Sequence, residues 1–110
     1  MAFNDKLADR IRKQLAGQKG LTEKKMFGGI GFLLNGNMCC GVIGEDLVLR
    51  LDPAQTGEAL AHKHTRIFDF SGKPMKGWIY VGPKAVETES DLKGWVEIGL
   101  KYAASLPSKK

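Results

Sequence analysis

The chain has little of what usually announces an activity. It has two histidines and two cysteines in 110 residues. The histidines are His62 and His64, and the cysteines are the adjacent pair Cys39 and Cys40. Zinc sites favour ligand pairs spaced by a few residues on rigid elements, and a bare HxH with a CC does not meet that pattern. No metal and no cofactor are therefore expected. Adjacent cysteines on a regular strand point to opposite faces, which excludes a disulfide scaffold and fits a reducing compartment. No stretch approaches the ~20 apolar residues that span a bilayer, so no membrane association is expected. The N-terminus, MAFNDKLADR, carries acidic residues and no apolar core, unlike a secretory signal. A cytoplasmic protein is the simplest reading.

Catalytic constellations are missing too. Cys39 or Cys40 could be joined on paper to His64 and Asp69, but both cysteines lie mid-strand among apolar neighbours, where a thiol is usually inert packing. The acidic residues fall in turns and on helix surfaces. The glycine-rich GGIGF segment lacks the GK[ST] of a phosphate loop and does not lead from a strand into a helix. No catalytic residue is assigned, and the chain is not expected to be an enzyme.

What the sequence does have is one run of apolar residues and glycines from Lys24 to Leu51. It reads as three consecutive antiparallel strands. Asn35-Gly36 is a strong hairpin signal, because both central positions of a type I′ turn need positive φ. A two-residue turn there pairs Leu34 with Asn37 and Leu33 with Met38. Continued without interruption, it pairs Phe32 with Cys39, Gly31 with Cys40 and Gly29 with Val42. A second turn is expected around Gly44-Glu45-Asp46, with Glu45-Asp46 at its centre. Phe27, Leu33, Met38, Cys40 and Val42 then share one face, joined by Leu47, Leu49 and Leu51. Ile30, Phe32, Leu34, Cys39, Ile43 and Val48 share the other. Antiparallel sheets usually bury one face and wet the other. With both faces apolar, the one carrying Ile30, Phe32, Cys39 and Val48 also needs cover, from the rest of the chain or from a partner subunit, and a homodimer that uses part of it is expected. The small residues Gly28, Gly29 and Gly31 leave room for a helix to pack closely.

Before this run, Asn4 or Asp5 caps a helix to about Ala16, with Phe3, Leu7, Ile11 and Leu15 as its apolar stripe. After it, Asp52-Pro53 starts a short helix to about His62. Thr65–Phe70 and Met75–Val81 read as two further strands around a turn at 71–74. A last helix from about Ser90 to Ser105 carries Leu92, Val96, Gly99, Leu100 and Ala103 on one stripe, with Trp95 at its edge. The fold class is α+β: an antiparallel sheet of about five strands with N- and C-terminal helices against it, in the order α-β-β-β-(α)-β-β-α. Residues 1–110 are expected to form one domain.

The net charge is +5, unevenly spread: residues 1–25 carry seven basic and three acidic groups. Lys6, Arg10 and Lys13 form a stripe on the first helix, and Lys24 and Lys25 follow. These five residues are the candidate surface for nucleic acid or an acidic partner.

The segment Met26-Phe27-Gly28-Gly29, continuing through Gly31-Phe32 to Asn35-Gly36, resembles the signature of the TfoX N-terminal domain family. Leu47–Leu51, the Phe68–Tyr80 hairpin and the Trp95-containing last helix agree with it, so the resemblance covers roughly residues 3–106. It implies an α+β domain with an antiparallel sheet. In larger relatives this domain precedes a helical C-terminal domain, in proteins that regulate natural competence genes. This sequence is expected to stop after the N-terminal domain. The family has no agreed catalytic residues to carry over, and Phe27, Gly28, Gly29, Gly31, Asn35 and Gly36 read as structural. The expected function is a non-enzymatic regulatory or protein-interaction domain acting as a homodimer. One alternative is a nucleic-acid-associated accessory protein. The other is a small-molecule binder or enzyme, which would need a pocket with convergent polar groups.

Overall fold

The computed structural model describes residues 4–26, 28–69 and 77–107. Helix α1 (Asp5–Gln14) is capped by Asn4, whose side chain accepts from the Leu7 amide at 3.1 Å. It buries Leu7, Ala8 and Ile11, with Leu15 just beyond its end. Strands β1 (Leu21–Met26), β2 (Gly29–Leu34), β3 (Asn37–Ile43) and β4 (Asp46–Arg50) follow as a meander. Asp52 caps a 3-10 turn at Pro53–Gln55, which runs into the short helix α2 (Thr56–Leu60). Strands β5 (Thr65–Ile67) and β6 (Trp78–Val81) come next. A second 3-10 turn (Pro83–Val86) leads into α3 (Glu89–Ser105), capped by Thr88. The sheet has six strands in the order β1-β2-β3-β4-β6-β5, every neighbouring pair antiparallel.

The α+β class is as expected, with one strand more. Strand β1 escaped sequence reading because LTEKKM has no apolar alternation. It is an edge strand held by pairing to β2, and its exposed Glu23, Lys24 and Lys25 discourage further strand addition. Strands β5 and β6 are shorter than expected. The turn at 71–74, and Phe3, Phe27, Phe70 and Met75, lie outside the described residues.

The first turn is as anticipated. Asn35 and Gly36 have φ of 52° and 84°, the double positive value of a type I′ turn, and Leu34 faces Asn37. The register then departs from the uninterrupted pairing. Leu33 faces Met38, but Phe32 faces Cys40 and Gly31 faces Gly41, so Cys39 is an extra residue in a β-bulge. The second turn is centred on Gly44-Glu45 rather than Glu45-Asp46: Ile43 faces Asp46, and Gly44 has φ 59°.

The bulge changes which residues share a face. Ile30, Phe32 and Leu34 now lie with Cys40, Val42, Leu47, Leu49, Leu51, Ile79 and Val81, under α1 and α3. Cys39 is buried in that same cluster. Gly99 brings α3 onto β3 so closely that a Cβ there would collide with the Cys39 carbonyl oxygen. The close helix contact expected at the β2 glycines is thus made by a glycine on the helix. Gly29 instead faces the backbone of its neighbour strand, where a Cβ would strike the Val42 carbonyl. The other face carries Met38, Val48 and Phe68, with Leu33, Ile43, Trp78 and Tyr80 packed around them.

Candidate interaction surfaces

The residues expected at a dimer surface are all interior in a single chain. Ile30 is 7% exposed, and Phe32, Cys39 and Val48 are 0% exposed. The first three sit beneath the helices, because the bulge moves Cys40 and Val42 to Phe32's side of the sheet. Val48 is on the opposite face, sealed with Met38 and Phe68. A dimer built on these four residues is therefore ruled out by their burial.

The basic residues do not converge. Lys6 and Lys13 are exposed on α1, but Arg10 between them is engaged. Its Nε donates to Glu89 Oε1 at 2.6 Å and its Nη2 to the Val86 carbonyl at 2.7 Å. Arg10 ties α1 to the start of α3, and its hydrogen bond holds the Glu89 carboxyl below the usual range. Lys24 and Lys25 are neighbours on β1, opposite Gly31 and Ile30, and so belong to opposite faces.

The thiols are placed for packing rather than chemistry. The bulge brings Cys39 Sγ to 3.9 Å from Cys40 Sγ, where regular alternation would have separated them. Cys39 Sγ donates to the Phe32 carbonyl at 3.3 Å. The hydrogen bond with Cys39 and full burial push the Cys40 thiol well up, so it stays neutral. His62 and His64 are exposed. His62 meets the Trp95 ring edge-on at 5.2 Å, and His64 turns the chain at φ 68°. Among the described residues no group of three His, Cys, Asp or Glu side chains could hold a metal ion.

Two other surfaces stand out. The first is a groove between the segment 51–62 and helix α3. It holds two adjoining cavities of about 260 and 320 Å³, which share Gln55 and Ile98. One wall carries Asp52 and Glu58, while the α3 wall carries Trp95, Ile98, Lys101 and Tyr102. Ile98, 38% exposed, is the one large apolar side chain left open among the described residues. It lies off the Leu92–Val96–Gly99–Ala103 stripe, which is why sequence reading passed over it. The second surface is on the sheet face away from α1. There the Arg50 guanidinium carbon lies 5.5 Å from the Trp78 ring centroid and 5.5 Å from that of Tyr102, and Arg66 lies 4.6 Å from Tyr80. The seating of these arginines on rings could not be read from the sequence, because ring contacts across strands have no local signature.

A family model described as the TfoX N-terminal domain matches residues 13–103. No curated protein and no solved structure matches the chain.

Proposed function

This chain belongs to the TfoX N-terminal domain family, and on that premise we propose that it is a non-enzymatic regulatory domain that works by binding protein, first of all a second copy of itself. The observation that carries this reading is Ile98, an exposed isoleucine set between two cavities and flanked by the half-buried rings of Trp95 and Tyr102. A single exposed apolar residue is ordinary; one seated in a groove beside aromatic rings has the make-up of an interface anchor.

The groove is self-complementary in charge. Its acidic wall has Asp52 and Glu58, and its helical wall has Lys101. A twofold axis across α3 lays the basic wall of one copy against the acidic wall of the other, and twofold pairing is the commonest symmetry of soluble assemblies. The buried, free thiols suit a reducing cytoplasm. Among the described residues no helix is long and apolar enough to cross a membrane.

Sedimentation velocity tests the assembly. Wild-type protein at high micromolar concentration should sediment as a dimer. Ile98→Glu should sediment as a monomer with an unchanged circular dichroism spectrum, since Ile98 adds nothing to the buried cluster. A monomeric wild type, or a dimeric Ile98→Glu, contradicts the proposal.

A further inference from the structure

The chain has four arginines, and three of them are answered by acceptors. Arg10 meets Glu89 and the Val86 carbonyl, Arg12 meets Glu23 and Asp9, and Arg66 meets Asp46 at 2.8 Å. Arg50 is different. Among the described residues no carboxylate, carbonyl or hydroxyl accepts a hydrogen bond from it. It is half-buried at the end of β4, held between Trp78, its cross-strand neighbour on β6, and Tyr102 of α3. Two rings flanking one guanidinium fix its position through cation–π attraction and leave its fork of donors unspent. A guanidinium fixed in place without an acceptor is preorganised for an oxyanion.

Its surroundings narrow the class of ligand. On the same face, one cross-strand position along, Tyr80 lies beneath Arg66 and pairs with Val48 of β4. Phe68 backs both rings, with centroids 5.8 Å from Trp78 and 5.0 Å from Tyr80. Both rings are half-buried, so part of each remains open to solvent. Asp46 neutralises Arg66, and Asp69 adds negative charge close to it. Among the described residues Arg50 is therefore the guanidinium without an acidic partner on a face that alternates rings with guanidinium groups.

We propose that this sheet face binds single-stranded nucleic acid, with Arg50 holding a phosphate and Trp78 and Tyr80 offering stacking surfaces to bases. An acidic peptide would satisfy the guanidinium and leave the rings without a role, whereas every base brings a π-face along with its phosphate. The site is separate from the α1 stripe of Lys6 and Lys13. Tyr102 borders both this site and the Ile98 groove, but Ile98 itself makes none of the ring and cation contacts of Arg50, Trp78 or Tyr80. Ile98→Glu should therefore keep nucleic-acid binding whether or not the dimer exists.

Fluorescence anisotropy of labelled oligothymidylate and oligouridylate, about ten nucleotides long, provides the test. Wild-type protein should bind with micromolar affinity at low salt. Arg50→Gln should weaken binding about tenfold and lower the slope of log affinity against log salt by about 0.7, the value of one phosphate contact on a single strand. Arg50→Lys keeps the charge and loses the planar fork, and should fall between the two. Trp78→Leu should weaken binding about tenfold with the salt slope unchanged. Lys6→Gln with Lys13→Gln should bind as wild type. Circular dichroism accompanies each variant, and if Arg50→Gln fails to fold, Arg50→Lys decides. The proposal is overturned by absent binding at low salt, by wild-type affinity in the Arg50 variants, or by loss in the Lys6/Lys13 variant instead. It is equally overturned if a glutamate-rich peptide binds in an Arg50-dependent way and the oligonucleotides do not, which would assign the site to an acidic protein segment.

Discussion

The two faces of the sheet start from similar apolar material and end differently. Beneath α1 and α3 lie mainly aliphatic residues, Ile30, Leu34, Val42, Leu47, Leu49, Leu51, Ile79 and Val81, around the ring of Phe32. This side closes by shape, and Gly99 lets the helix backbone descend onto β3. The opposite face, among the described residues, seals Met38, Val48 and Phe68, then gives way to half-buried Leu33, Ile43, Trp78 and Tyr80 and to two arginines stacked on rings. An apolar strand pattern on both sides need not mean two equivalent cores. One face is finished within the chain. The other keeps rings and charges that binding can use.

A matched pair of truncations should show the largest effect. Phe32→Ala on the closed face should cost about 3–5 kcal/mol, the range for removing a fully buried ring. Ile43→Ala on the open face, at a half-buried position, should cost about 1 kcal/mol. Urea denaturation of both variants measures the gap, and equal costs would mean the faces are packed alike. Next in size is Gly99→Val. With the Cys39 carbonyl where a Cβ would go, α3 must lift from β3, at about 3 kcal/mol. The melting temperature reads this directly, and a wild-type value would show that the helix does not approach so closely. Smaller again is Gly36→Val. It forces a branched side chain into φ 84° and should cost about 1–2 kcal/mol, without touching either face.

The parts of the fold legible in sequence were those set by local chemistry. Asn35-Gly36 fixed its turn through φ, Asp52-Pro53 started its helix, and the stripes of α1 and α3 chose their buried sides. In the last strand only the sheet decides that Ile79 and Val81, rather than Trp78 and Tyr80, face the helices. Strand β1 was hidden because an edge strand held by backbone bonds needs no apolar pattern. The Cys39 bulge was hidden because one extra residue leaves no mark in an all-apolar run, and it exchanged the faces of every residue beyond it. The expected dimer surface at Ile30, Phe32 and Cys39 went wrong for that reason alone. Ile98 and Arg50 were missed because their significance lies in the groove and the rings around them.

The bulge at Cys39 sets the division of faces, and the thiols report on it. Without the bulge, Cys39 and Cys40 would alternate, one beneath the helices and the other on the open face. With it, both lie in the closed core, 0% exposed and 3.9 Å apart. Thiol labelling of the native protein with an aromatic disulfide reagent, followed in parallel with added denaturant, separates the two arrangements. The expected result is that neither thiol reacts in the native protein, and that both become reactive together at the unfolding transition. Rapid labelling of one thiol in protein that keeps its native circular dichroism would contradict the bulged register and the division of faces that follows from it.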